Sequence, residues 1–351
     1  MAAVIPAPWL LAIAMWMGCA ALGLSLLLLG QIFFMRRLLT SRERRRQELR
    51  AVWRPVILDS LIRLPVPLPE LAPADFAAFA LLWNHFHEVL DGVSRERLNA
   101  LGDALGLGDL ALARLGGSSG EEQLMAILTL GHLREERAWH QLEALALQPV
   151  PLLSITAARA LVLVDAAAAM ALFARLIEQR DDWPLASVGA ILREAGPQAV
   201  TLPLIGLVAG AAGHREVRLI RLLEYAQGRL AMPMIRAISR RSCDPEVLAV
   251  CLHLVRDRRD AIMARRFLRA GDWRVRVQAV LALGRVGGAD DRAALVERLQ
   301  DSQWWVRYRA AQALLELPEA SRESLAGILA RQTDPFARDI LGQVMAERYA
   351  S

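Results

Sequence analysis

The chain has 351 residues, 55% of them apolar and 6% aromatic, with a formal net charge of +5. That composition can bury a sizeable core and excludes a disordered tail. All 42 basic residues are Arg, and three cysteines (Cys19, Cys243 and Cys251) are too few for a disulfide framework or a four-ligand zinc site.

No charged residue precedes Arg36, and Pro8 to Met35 is almost continuously apolar, longer than the roughly 20 residues that cross a hydrocarbon core of about 30 Å. Residues 1–35 are therefore expected to form a transmembrane anchor, with Trp9 and Trp16 toward its first end. A cleavable signal peptide fits less well, because the basic n-region is missing and the apolar run is too long. Eight arginines follow the span (Arg36, Arg37, Arg42, Arg44, Arg45, Arg46, Arg50 and Arg54), offset only by Glu43 and Glu48. The positive-inside rule then expects a single-pass protein of a bacterial inner membrane, with its N-terminus outside and the rest cytoplasmic. This window carries +6, which leaves −1 for the remaining chain. Attraction to an anionic membrane surface is the second reading of the same arginines.

Residues 36–73 read as a basic juxtamembrane helix, running on or breaking at Pro55, followed by an extended spacer through Pro65, Pro67 and Pro69. Residues 74–119 read as a helical N-terminal cap: Asp75 is placed to cap a helix over Phe76 to Leu90, and Ser94 opens another that ends near Gly106 and Gly108. Gly116 to Gly120 reads as a loop and lacks the Lys-Ser/Thr of a phosphate cradle.

The remainder, 120–351, is repetitive. The stretch from Val275 through Arg276, Ala279, Ala282 and Leu283 to Gly284 recurs 31 residues later as Val306, Arg307, Ala310, Ala313 and Leu314, and more faintly at Ala337, Arg338 and Leu341. Ala126 to Leu133 and Ala157 to Leu161 fall in the same phase, so about eight units start near 122, 153, 185, 217, 247, 275, 306 and 337. Those near 185, 217 and 247 rest mainly on spacing. Each reads as a pair of helices that buries its apolar face only by stacking on its neighbours.

These units resemble the HEAT-repeat family, and more narrowly the short HEAT-like repeats also seen in phycobilin lyases. The matching residues are Asp272, Val275, Arg276, Ala279, Ala282, Leu283 and Gly284, and again Asp301, Val306, Arg307, Ala310, Ala311, Ala313 and Leu314. The resemblance implies an α-solenoid of HEAT-like pairs over 120–351; with the apolar run before it, the whole chain is expected to be all-α, a transmembrane helix followed by that solenoid. It also implies that Asp272, Arg276, Asp301, Arg307, Asp334 and Arg338 form a structural inter-repeat ladder.

Motifs for catalysis are absent: no nucleophile elbow, HExxH, Walker or paired-carboxylate pattern occurs. His85 and His87 are two apart and cannot chelate one ion from a helix, while His132 and Glu136 are suitably spaced but lack a third ligand. Cys243 and Cys251 are eight apart and read as small packed hydrophobes rather than nucleophiles. We therefore expect no enzyme, no cofactor, no metal and no nucleic-acid partner.

Charge is uneven along the repeats: residues 201–285 hold 16 Arg against 7 acids. Arg236 and Arg266 are read as equivalent positions of successive units, with Arg240, Arg265 and Arg269 nearby, on helices that by analogy line the concave face. The sharp reading is a groove for an acidic partner; the plain one is solvated faces paired locally with Asp257 and Asp260. Of Trp304 and Trp305, one at most can face the core, and the other is free to mark an interface. Three functions remain open. The first is a membrane-tethered scaffold that binds a protein partner and recruits or regulates a membrane enzyme complex; similar anchored HEAT proteins suggest envelope or exopolysaccharide synthesis. The second is a sensor of an anionic ligand or lipid, and the third an enzyme of bilin-lyase type.

Overall fold

The computed structural model describes residues 8–117, 120–211, 213–318 and 320–349, without the side chains of 8–14, 18–21, 32, 34–44, 46 and 214. Among these residues all regular structure is helical and no strand occurs. The chain divides into two compact units, 1–138 and 139–351.

In the first unit, α1 (Pro8–Ser60) is one continuous helix that carries Pro55 inside it. Its C-terminal end buries Leu49, Trp53 and Ile57, one residue per turn, where it packs on α2 (Phe76–Val89) and α3 (Val93–Ala104). Trp53 meets Phe79 edge-on with ring centroids 4.7 Å apart. Proline at 65, 67 and 69 keeps the intervening segment out of the helix. Asp75 does not cap α2 through its side chain; its carboxylate instead receives Arg45, Nε at 3.1 Å and Nη2 at 2.7 Å. Gly106, at φ +62°, takes the left-handed turn that joins α3 to α4 (Leu107–Leu112). The helix α5 (Gly120–Leu133) packs on α2 and α4. Ser118 and Ser119 of the expected loop lie outside the described residues.

Among the described residues no helix is long and apolar enough to cross a membrane, so the expected transmembrane span is not found there. Much of 1–35, including Trp9 and Cys19, falls outside the described side chains. So do the side chains of Arg36, Arg37, Arg42, Arg44 and Arg46.

The second unit is a succession of helix pairs. It opens with α6 (Trp139–Ala146), α7 (Pro151–Val164), α8 (Ala166–Gln179) and α9 (Leu185–Ala209). Then follow α10 (His214–Leu222), α11 (Gly228–Arg241), α12 (Pro245–His253), α13 (Ala261–Phe267) and α14 (Trp273–Val286). It closes with α15 (Arg292–Arg298), α16 (Trp304–Glu316), α17 (Arg322–Ala330) and α18 (Pro335–Tyr349). From position 151 onward, the first helix of each pair begins within three residues of the start expected from sequence. The pair near 185 looks like one helix but is two: Gly196, at φ +80°, breaks α9 and Pro197 starts its second half.

Packing separates the helices into two rows. α10, α12, α14, α16 and α18 pack directly on one another in that order, whereas α11, α13, α15 and α17 each pack on the helix that follows. Small residues make the first row close: Ala279, Ala282, Gly284, Ala310, Ala311 and Ala313 are all buried. A Cβ on Gly284 would lie 2.8 Å from Glu316 Oε2 and 3.1 Å from Ala313 Cα. We call this closely packed row the inner row; it carries Val-Arg-x-x-Ala. The helices of Arg236 and Arg266 form the other row.

Candidate functional site

The inner-row helices begin with a repeated device. Asp272, Asp301 and Asp334 each accept a hydrogen bond from the backbone N–H two residues on, Arg274 at 2.8 Å, Gln303 at 3.0 Å and Phe336 at 3.0 Å. Four residues past Asp272 and Asp334, and six past Asp301, Arg276, Arg338 and Arg307 each donate to a carbonyl six residues back, those of Ala270, Gln332 and Asp301, at 2.7–2.9 Å. Arg276 also spans successive repeats, both of its contacts to the Asp301 carboxylate being 2.8 Å. Burial would raise the Asp301 carboxyl, but its hydrogen bonds from Arg276 and Gln303 outweigh that and hold it low. Arg307 lies over the Phe336 ring instead.

A second ladder, of which the plain sequence reading named only Asp260, uses the outer row. Arg236 Nε is 3.1 Å from Asp260, Arg265 Nη2 is 3.1 Å from Asp291, and Arg269 is 3.1 Å from Glu297. Both aspartates end a short 3-10 turn just ahead of the next outer-row helix; the signal was their 31-residue spacing. Arg265, not Arg266, is thus the counterpart of Arg236. Asp291 is held low because Arg265 and the Gly288 N–H overcome its burial, while at Asp260 burial prevails against Arg236 and the carboxyl is pushed up. Arg240 and Arg266 are exposed, with Arg266 over the Phe267 ring. Three of the five arginines read as a groove therefore join one repeat to the next.

The structure places a cleft of about 460 Å³ elsewhere, on the inner row between α10, α12 and α14. Leu222, Ala249, Val250 and Leu254 form its floor, and Leu185 reaches it from the start of α9. Tyr225 forms a wall, seated on Gly189 so closely that a Cβ there would collide with its hydroxyl. The rim carries Arg221, Glu224, Glu246, His253, Arg274 and Gln278. Arg274 is held by Asp272 at 2.8 Å, whereas Arg221 makes no ion pair among the described residues. Burial lowers the His253 imidazole, and Arg256, Arg285 and Arg221 lower it further against Glu224, so the rim meets neutral pH with a neutral His among guanidiniums. No motif announced these residues, because they come from four helices and the 3-10 turn 223–225 and share no spacing.

At the first turns of α14, α16 and α18 stand Trp273, Trp304, Trp305 and Phe336, all exposed. Neither Trp304 nor Trp305 enters the core, at 44% and 50% exposure; Trp304 stacks on Tyr308 at 5.1 Å instead.

The histidines behave differently from their sequence spacing. His87 and His132, from α2 and α5, stack at 4.6 Å and 14° inside the first unit. His87 lies against Trp83, and His132 Nε2 is 3.7 Å from Glu88. Burial first, then His132 and Arg95, lowers the His87 pKa to about 3. Among the described residues no three His, Cys, Asp or Glu side chains are grouped to hold a metal ion. Cys243 is exposed and Cys251 buried.

Residues 264–346 match the family model of HEAT repeats, a segment that runs from α13 into α18 and includes the Arg276–Asp301, Arg265–Asp291 and Arg269–Glu297 contacts. No curated protein matches this chain. Among solved structures, the crystal structure of an engineered protein from a structural-genomics consortium is similar at 13% identity and a TM-score of 0.35, over 80% of this chain and 92% of that one.

Proposed function

We propose that the chain is a membrane-tethered, non-catalytic scaffold whose inner-row surface, centred on the Leu222–Ala249–Leu254 cleft, docks a protein partner and so recruits or regulates a membrane-associated enzyme complex. The HEAT repeats of 264–346 support an interaction scaffold. The observation that carries the reading is the cleft: its apolar floor, aromatic wall and charged rim have the make-up of a protein-docking pocket. It lies on the row whose first turns also expose Trp273, Trp304, Trp305 and Phe336.

The tether is supported by the apolar run of 8–35 and the arginines behind it. In the structure Met15, Trp16, Met17, Leu22, Leu24 and Phe33 are all exposed, each at 60% or more, an arrangement that suits hydrocarbon better than water. The repeats then face the cytoplasm of a bacterial cell, with envelope or exopolysaccharide synthesis as the candidate partner machinery. The Arg-rich sensor reading has less support, since Arg236, Arg265 and Arg269 are engaged between repeats.

The test is purification of full-length protein from its native membranes as wild type, as Ala249→Trp, which fills the cleft, and as Arg240→Glu with Arg266→Glu. Loss of co-purifying partners only in Ala249→Trp supports the reading. Equal recovery in all three removes the cleft from it, and wild type that recovers no protein partner overturns the scaffold.

A further inference from the structure

In the first unit, one face of α2, Phe76, Phe79, Ala80, Trp83 and His87, is buried; beside it run Leu81, Leu82 and Phe86, half-buried, and Val89, 67% exposed. These apolar residues floor a groove of about 600 Å³ whose other wall is α1, through Arg50 and Arg54. These two are one turn apart, on the same face of α1, and neither makes an ion pair among the described residues. His85 completes the rim, which holds no carboxylate. The one acid of α2, Glu88, faces His132.

We propose that this groove receives an acidic amphipathic helix of a protein partner: apolar side chains at i, i+3 or i+4 settle on Leu81, Leu82, Phe86 and Val89, and carboxylates one turn apart meet Arg50 and Arg54. Charge selects this occupant. A second copy of the chain would bring the same arginines to an isologous contact and repel. A bilayer lipid is out of reach, because α1 is continuous and Arg50 stands 15 residues beyond Met35, roughly 22 Å along an upright helix. The groove is two turns of α2 long, which suits helix-in-groove docking. This inference rests on the scaffold reading but uses a separate surface.

The test is fluorescence anisotropy on full-length protein in detergent, with a labelled helical peptide that bears Leu at i, i+3, i+4 and i+7 and Glu on the flanks, and with its Lys-for-Glu counterpart. We expect the Glu peptide alone to bind wild type, with affinity falling as salt rises. Arg50→Glu with Arg54→Glu should weaken it at least tenfold, ~1.4 kcal/mol or more, and transfer binding to the Lys peptide; Val89→Glu, at an exposed site, should weaken the Glu peptide without unfolding. Absence of Glu-peptide binding, equal binding of both peptides, indifference to the arginine pair, or displacement by monomeric dihexanoyl-phosphatidylglycerol would each overturn the proposal. Failure of these groove tests, with partners still recovered through the inner-row cleft, overturns the inference and keeps the scaffold.

Discussion

Arg276 grips the carboxylate of Asp301 with two 2.8 Å hydrogen bonds, their side chains 11% and 3% exposed, and the same carboxylate accepts the Gln303 N–H that starts the next helix. One residue of α14 thereby sets the position of α16. A buried charge that loses its partner costs about 3–5 kcal/mol. We expect Arg276→Ala to lower the unfolding free energy of the repeats by that order in urea titrations. The double variant with Asp301→Ala should lose less than the two single losses combined.

The same pair sets an acid limit. Asp301 is held below the ordinary carboxylate value of 3.8 in the folded state, so its contribution is complete above that value and is lost as pH falls through the lower, folded one. Asp301→Asn should therefore be less stable than wild type at pH 7, and the gap should close below about pH 4. A gap that stays constant to pH 2 would rule out the ion pair as its source.

His87 titrates in the opposite sense from a paired histidine. Its pKa of about 3 lies below the ordinary 6.5, so the first unit is favoured by the neutral imidazole and is undisturbed above pH 6.5. Stability should fall as pH drops from 6.5 toward 3, by about 1.4 kcal/mol per pH unit once below 6.5. His87→Phe, which keeps a ring between Trp83 and His132, should flatten that slope when urea midpoints are measured across the range.

Gly284 tests the closeness of the inner row. Its α-carbon faces Ala313 and the Glu316 carboxylate, with no room for a methyl group. Gly284→Ala should cost about 1–3 kcal/mol by overpacking, whereas the same change at exposed Gly228, where a Cβ meets nothing within 4 Å, should not destabilise by this route.

Cysteine chemistry separates by burial. Cys251 is buried, and that burial pushes its thiol up to about 12. Iodoacetamide at pH 8 followed by peptide mass mapping should modify exposed Cys243 and leave Cys251 untouched until urea unfolds the repeats.

How much of this was legible follows from what the sequence could express. The Val-Arg-x-x-Ala motif located α14, α16 and α18 to within two residues, because close helix approach demands Ala and Gly at repeated positions such as Ala279, Ala310 and Gly284, and the repeat period alone placed α10 and α12 to within three. Asp260 was legible as a partner of the basic patch, but the Arg265–Asp291 contact and the ladder it repeats were not, because counting charge ignores partners about 25 residues away. His87 was set aside by its spacing from His85, yet its neighbour is His132 on another helix. The cleft joins Leu185, Tyr225, Ala249 and Gln278 only through folding, and no local pattern marks it.

The most direct measurement is site-specific photo-crosslinking of the full-length protein in its own membranes. A benzophenone side chain is placed at Ala249 in the inner-row cleft and, separately, at exposed Leu230 on α11. Docking in the cleft predicts a discrete protein adduct from position 249 and none from position 230. Adducts equal at both positions, or absent from 249, would contradict it.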